Sequence, residues 1–233
     1  IGQKPLFYSL GESKILFSSN LKSILKYEDK KRIDIRAINN YLNFGVVPSP
    51  QTLYENIFKL EPGSYLEIDL SNDNIVPKLE KYWDPKKFIN DNKFDKEICF
   101  ELFHNAVSDR LESDVPVANF LSGGIDSTSI IKSLHDQGYK QINTFSVRNK
   151  EEKYDESKWI NNVVQNYETN HISTELNGDF ATRDILESIN IFDEPYADPS
   201  TVPSYLLNKL IAENYKVAIS GDGGDELMGG YRR

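Results

Sequence analysis

Short aromatic and β-branched runs open the chain, PLFYSL over 5–10 and KILFS over 14–18, and Gly11-Glu12-Ser13 separates them. Two such runs around a glycine-bearing turn predict a β-hairpin. The period then changes. Leu21, Ile24 and Leu25 recur at helical spacing, and Ile38, Tyr41 and Leu42 share one face of a second helical pattern over 34–44 that Gly45 should end. Apolar and polar positions alternate over 64–70 (SYLEIDL) as they do in a half-buried strand. The acidic, Asn-rich stretch 69–74 reads as a linker and the polar stretch 88–96 as a loose loop.

From about residue 95 the punctuation is different: helical 95–112, apolar 115–121, helical 126–136, apolar 142–147, helical 155–168. A short strand over 170–174, helical patterns over 179–192 and 201–214, and an apolar strand over 216–220 follow. Strands alternating with helices predict a parallel α/β sheet, in which ligands bind outside the carboxyl ends of the strands. No internal repeat interrupts this order.

Two loops fall at such strand ends. The first is Ser122-Gly123-Gly124-Ile125-Asp126-Ser127-Thr128, between a strand and a helix whose apolar positions continue at Ile130, Ile131 and Leu134. Glycines let the backbone approach a ligand, the new helix leaves its first amides unpaired and positive, and Ser122, Ser127 and Thr128 add hydroxyl donors. That combination suits a pyrophosphate. It lacks the Gly-Lys-Ser/Thr ending of a Walker loop and the G-x-G-x-x-G of a dinucleotide fold. A plain βα turn capped by Asp126 would need neither both glycines nor three hydroxyls.

The second loop is Gly221-Asp222-Gly223-Gly224-Asp225-Glu226, which follows Ser220 and places three carboxylates within five residues. Like charges so close repel one another, and a hard cation relieves the repulsion. Magnesium takes one or two carboxylates together with ligand phosphates, so Asp126 and Asp225 form the candidate metal pair, and Asp222 and Glu226 remain for proton chemistry or orientation. An exposed acidic turn is the competing explanation; EF-hand calcium spacing is absent.

Composition narrows the partners. The 233 residues carry 27 basic and 36 acidic side chains, a net charge of −9, which repels phosphate backbones and anionic membrane surfaces. Nucleic acid and membrane are therefore not expected partners. No segment approaches the roughly 20 apolar residues that span a bilayer, and no signal-peptide pattern opens the chain. The single cysteine, Cys99, excludes an internal disulfide and suits a reducing cytoplasm. Its position in an amphipathic helix makes it a structural thiol rather than a nucleophile. His104, His135 and His171 are scattered without metal spacing and receive no role. The acidic, proline-bounded stretch DEPYADPS over 193–200 is either a turn or a substrate lip. Because the chain starts at Ile1 and stops after a glycine-rich segment, a fragment of a longer protein is expected.

Taken in order, IGQKPLFYSL, KILFSSNLKSIL, YENIFKLEPGSYLEIDL with Tyr82-Trp83, VPVANFLSGGIDST, TFSV, YDES, DEPYADPSTVPSYLL and KVAISGDGGDELMGGYRR resemble the glutamine-dependent asparagine synthetase family. This family belongs to the SGGxDS pyrophosphatase-type ATP users. The resemblance implies an α/β nucleotide α-hydrolase-like (PP-loop) synthetase domain, its N-terminal portion over 76–233. The C-terminal part of an α+β Ntn-type glutamine amidotransferase domain would precede it over 1–75. It also implies a reaction: ATP activates the aspartate side chain as an acyl-adenylate, and glutamine-derived ammonia displaces AMP to give asparagine. Small molecules (aspartate, ATP, ammonia) are the implied partners, ATP and Mg²⁺ the implied cofactors. A homodimer is compatible with the sequence but not specified by it.

On matching positions, Ser122, Gly123, Gly124, Asp126, Ser127 and Thr128 would hold the pyrophosphate, and Asp126 and Asp225 its magnesium. Phe120, Leu121 and Val147 would flank the adenosine, with Ser220 and Gly221 also touching the nucleotide. Asp222 stands where many members carry Glu, and Asn20 where Glu is usual. Ile1 is not the family's nucleophilic cysteine, so this chain alone is not expected to hydrolyse glutamine, and its own amidation activity is not expected either. Two alternatives stay open: an amidotransferase acting on a sugar or peptide carboxylate, and a nucleotide-binding module without turnover.

Overall fold

The computed structural model describes residues 2–11, 14–29, 31–69, 71, 77–89, 93–149, 153, 155–176 and 182–231. The hairpin turn at Glu12-Ser13, most of the stretch 69–74, the boundary at 75/76 and the first residues of the helix expected from 179 lie outside them. The chain divides into two compact units, one of residues 1–92 and 186–199, the other of 93–185 and 200–233.

In the first unit the expected hairpin forms from β1 (Phe7–Leu10) and β2 (Ile15–Ser18), and β3 (Ile57–Lys59) pairs antiparallel on the other side of β1. Sequence reading missed β3, a three-residue run with too few positions to show a period. Against this sheet packs α1 (Leu21–Leu25), whose Asn20 side chain caps it by accepting from Ser23 N at 3.0 Å. Phe7, Leu21, Ile24 and Ile57 form the core here. The helix α2 (Ile35–Phe44) starts on Asp34, which accepts from Arg36 N, and ends at Gly45 in the left-handed region (φ 73°). Its periodic apolar face is not a core face: Ala37 is buried, while Leu42 stays 75 % exposed. A two-stranded sheet of β4 (Ser64–Glu67) and β5 (Lys78–Lys81) completes this part.

Residues 193–197 are tied into the same unit. Leu21 N donates to Asp193 Oδ2 at 2.6 Å and Asn20 Nδ2 to its Oδ1 at 3.0 Å, so Asp193 supplies charge to the start of α1. Glu194 accepts from Leu53 N at 2.6 Å and pairs with Lys59 Nζ at 2.6 Å, with side chains only 10 % and 21 % exposed. Lys59 Nζ also donates to Val47 O, and Ala197 N to Gly45 O. Both carboxylates are thereby engaged, so of the two readings of DEPYADPS the turn holds for Asp193 and Glu194.

The second unit is a parallel sheet of order β8-β7-β6-β9, with β6 (Val117–Phe120), β7 (Asn143–Asn149), β8 (Asn170–Leu176) and β9 (Val217–Ile219). One face receives α3 (Lys96–Asp109), α4 (Ile125–Asp136) and α5 (Ser157–Tyr167) through Val107, Ile131, Leu134 and Ile160. The other receives α7 (Thr201–Ala212), where Ile211 meets Ala118 and Phe145. Side-chain alternation along β6 sorts Val117 to the first layer and Ala118 and Phe120 to the second. The preceding α6 (Thr182–Ile191) carries the chain out to residues 193–197. Cys99 is a free, half-buried thiol in α3. No helix among the described residues is long and apolar enough to cross a membrane.

A polar row crosses this sheet in register: Asn119 on β6, Thr144 on β7 and His171 on β8. Thr144 Oγ1 lies 2.9 Å from His171 Nδ1, and Ser146 Oγ lies 3.1 Å from Nε2. Burial, with Arg148 nearby as a second cause, holds the His171 pKa below its ordinary value.

Two outcomes follow. Replacing Glu194 by Ala leaves Lys59 and Leu53 N without their shared acceptor, and urea unfolding should show a loss of about 2–3 kcal/mol. For His171 the unfolded chain takes up a proton before the folded one, so stability is present above the ordinary histidine range and lost as pH falls through it. Between about pH 7.5 and about pH 5.5, the His171→Gln variant should lose less stability than the unsubstituted chain when both are followed by denaturant titration.

Candidate active site

The strand order fixes where two loops meet. From β6 the chain moves through β7 to β8 on one side, then returns to place β9 on the other side of β6, so β6 and β9 are neighbours at the point where the winding reverses. Their pairing (Val117↔Val217, Asn119↔Ile219) sends the loops after them out of the same edge, the position where open α/β sheets bind ligands.

The contact between the loops depends on missing side chains. A Cβ on Gly221 would lie 3.0 Å from Asp126 Cβ and 3.1 Å from Ser127 N, and one on Gly224 only 2.5 Å from Asp126 Cγ. No other residue type fits Gly224 while Asp126 keeps its place. Gly123, at φ 79°, lets the first loop lie against α5, where a Cβ would come within 2.8 Å of Trp159 Cβ. Backbone and carboxylate therefore touch directly at the loop junction.

Hydroxyls knit the first loop together. Ser122 Oγ and Ser127 Oγ are 3.0 Å apart, Ser122 N donates to Ser127 Oγ at 3.2 Å, and Gly124 N donates to Ser122 Oγ at 3.2 Å. The helix α4 opens on Gly124 without a side-chain cap, so its first-turn N–H groups keep no intrahelical acceptor and face outward with the positive end of the helix dipole. Thr128 Oγ1 is buried without a hydrogen-bond partner.

Around the junction lies a cavity of about 480 Å³. Phe120, Leu121 and Val147 give it an apolar wall; Ser122, Asp126 and Ser127 line it from the first loop. Ser220, Gly221, Asp222, Asp225 and Glu226 line it from the second. The sequence-selected residues thus gather at one place, except that Gly123, Gly124 and Thr128 are not among the lining residues. Sequence reading missed Glu156, Ser200, Pro203, Ser204, Leu207 and Tyr231. Pro203 and Leu207, four apart on α7, carried a helical-face signal; Glu156 stood inside the motif YDES.

The electrostatics are one-sided. Burial, and then Asp225 and Glu226, push the Asp126 pKa above its ordinary value. Glu226 goes the other way: the Tyr231 hydroxyl donates to it at 2.6 Å and lowers its pKa. Ser220 Oγ donates to Asp222 Oδ2 at 2.8 Å, which orients that carboxylate. The short helix α8 (Gly224–Met228) carries Asp225, whose carboxylate lies against Gly230, where any side chain would collide with it. Among the described residues no group of three or more His, Cys, Asp or Glu side chains is arranged to hold a metal ion unaided. Two loop carboxylates are nonetheless the oxygen donors that magnesium takes from a protein when phosphate oxygens and water complete its shell, and the free helix amides beside them suit the phosphate. The mutual repulsion felt by Asp126 is what such a cation would remove. The residues present fit it.

Comparison with known proteins identifies the family. The family model "Asparagine synthase" matches residues 100–233, and the model "Glutamine amidotransferase domain" matches 1–83. The chain belongs to the asparagine synthase family. It is 36 % identical over 246 residues to a putative glutamine-hydrolyzing asparagine synthetase 2 of Methanocaldococcus jannaschii, covering 99 % of this chain and 45 % of that protein. To glutamine-hydrolyzing asparagine synthetase 1 of Bacillus subtilis it is 32 % identical over 230 residues, covering 99 % and 36 %. The chain thus spans less than half the length of these relatives. Among solved structures, an NH3-dependent NAD synthetase from Campylobacter jejuni superposes with a TM-score of 0.38 at 17 % identity, over 60 % of this chain and 62 % of that one.

Because the fold disfavours the charged form of Asp126, its ionisation lowers stability at neutral pH and stops doing so once acid protonates it. In the absence of divalent cations, Asp126→Asn should therefore raise the melting temperature near pH 7, and the advantage should vanish in acid.

Proposed function

We propose that this chain contributes the nucleotide site and part of the glutaminase half of a glutamine-dependent carbon-nitrogen ligase that converts aspartate to asparagine. The observation that carries the reading is the junction of the β6 and β9 loops, with glycine backbone against Asp126 at the switch point of a parallel sheet. The names of the relatives support the amidation chemistry. The pairing of β4 with β5 supports a boundary between the two parts that lies after Lys81 rather than at 75/76.

In this reading the adenosine lies against Phe120, Leu121 and Val147, near Ser220 and Gly221. The pyrophosphate portion meets the Ser122 and Ser127 hydroxyls and the first amides of α4, with Gly123, Gly124 and Thr128 shaping the loop behind them. Asp126 and Asp225 would hold magnesium, which when bound supplies charge neutralisation to the phosphates. The aspartate side-chain carboxylate attacks the α-phosphorus, pyrophosphate leaves, and ammonia then attacks the acyl carbon of the β-aspartyl adenylate to release AMP. Fixed amides at the α4 start stabilise charge that develops on the phosphates. Nitrogen must lose a proton in the second step. In this reading Asp222, oriented by Ser220, accepts it, while Glu226, whose charged form the Tyr231 hydroxyl favours, orients the incoming ammonia.

Exchange of labelled pyrophosphate into ATP should depend on aspartate and fall about 100-fold or more when Asp126 or Asp225 becomes Ala. Exchange driven by another acid alone, with its amide found by mass spectrometry, would move the assignment to that acid; Mg·ATP binding with no acid-dependent exchange would leave a binding module.

A further inference from the structure

One face of α7 walls the cavity: Ser200, Pro203, Ser204 and Leu207, spaced as neighbours on a helix, all line it. That face is held unevenly. The second half of α7 is anchored by packing, since Leu207, Leu210 and Ile211 meet Ala118 and Phe145 on the sheet. The first turn lacks a cap. Ser200 stands at the cap position with helical backbone angles (φ −74°, ψ −9°) and no capping bond, whereas an ordinary cap is extended and accepts from an N–H two or three residues on. Thr201 Oγ1 is buried there without a hydrogen-bond partner.

The chain just before α7 is what is fixed. Residues 186–199 belong to the first unit, and Ser200 begins the return to the second. Within that stretch Glu194 accepts from Leu53 N and pairs with Lys59 Nζ, Asp193 accepts from Leu21 N, and Ala197 N donates to Gly45 O. The Phe192 and Tyr196 rings lie 5.1 Å apart. Only Pro195-Tyr196-Ala197-Asp198-Pro199 separates Glu194 from Ser200, and proline has a fixed φ. So short and stiff a tether passes a displacement of Glu194 on to the start of α7 instead of absorbing it. Glu194 itself is fixed by charge, in a pair held largely out of water, where the loss of one partner leaves the other uncompensated.

We propose that the Lys59–Glu194 pair positions the α7 wall of the cavity, so that two residues outside its lining set how well it holds its ligand. They are positioning residues. The structural part of this proposal stands on the tether, and the ligand part rests on the nucleotide reading above.

The test uses the full chain carrying Lys59→Met, which removes the charge and keeps the volume, or Glu194→Gln, which keeps an acceptor for Leu53 N. Calorimetric binding of the Mg²⁺ complex of a non-hydrolysable β,γ-imido ATP analogue should weaken about threefold to thirtyfold in each. The double variant should bind no more weakly than the worse single one, because the same interaction is lost in all three. Without nucleotide, amide hydrogen exchange should quicken by about the same factor at 204–207, with 126–136 of α4 as an unmoved control. Faster exchange confined to the first unit, with 204–207 and affinity unchanged, makes the pair a stabiliser of its own unit alone and overturns the proposal. Losses that add up in the double variant overturn it too. Should a substituted chain fail to fold, a Gly-Gly insertion after Ala197 decides the matter: it keeps every bond named above and slackens only the tether, so affinity should fall by a similar factor, and undiminished affinity refutes the positioning role. If the unsubstituted chain binds no nucleotide, the functional reading fails, and exchange at 204–207 alone then upholds or overturns the positioning role.

Discussion

The structure of the second unit depends on a carboxylate held against bare backbone. Asp126 lies where Gly221 and Gly224 leave room, so the loops after β6 and β9 approach more closely than any pair of ordinary residues permits. Burial first, and then Asp225 and Glu226 on the opposing loop, raise the energy of the charged side chain. Fold stability alone would remove one of these charges. That they stand together fits the proposed site, in which a cation would relieve the repulsion.

From this constraint the rest of the unit reads as support. The parallel order β8-β7-β6-β9 brings the two loops to one edge, and the layers of α3, α4 and α5 on one face and α7 on the other hold the strands in register. Hydroxyls within the Ser122–Ser127 loop satisfy each other, which stiffens the loop without using the first amides of α4. The amides remain for a ligand.

Much of this was legible in the sequence because it is written in short-range signals. Strand, glycine turn and helix start are adjacent at Ser122-Gly123-Gly124, and the three carboxylates of the second loop lie within five residues. What stayed hidden is long-range. Glu156 and the α7 residues Pro203 and Leu207 reach the cavity through tertiary packing, which no local period reports. The strands β3 and β5 are too short, or too charged, to show an alternation. The apolar stripe of α2 showed the reverse error: a correct helical period whose large side chains nonetheless remain at the surface. DEPYADPS was ambiguous because its partners, Leu21, Leu53 and Lys59, lie more than a hundred residues earlier.

That last feature bears on how the chain is made. Asp193 and Glu194 complete the helix start and the sheet edge of the first unit, although β6, β7 and β8 of the second unit precede them in sequence. As synthesis proceeds toward the carboxyl end, residues 1–92 are made before Lys59 can meet its Glu194 partner, which leaves the ribosome more than a hundred positions later. Any attempt to express the amino-terminal unit as a single continuous piece would omit its own closing clasp, and the two regions therefore cannot be parted by one cut.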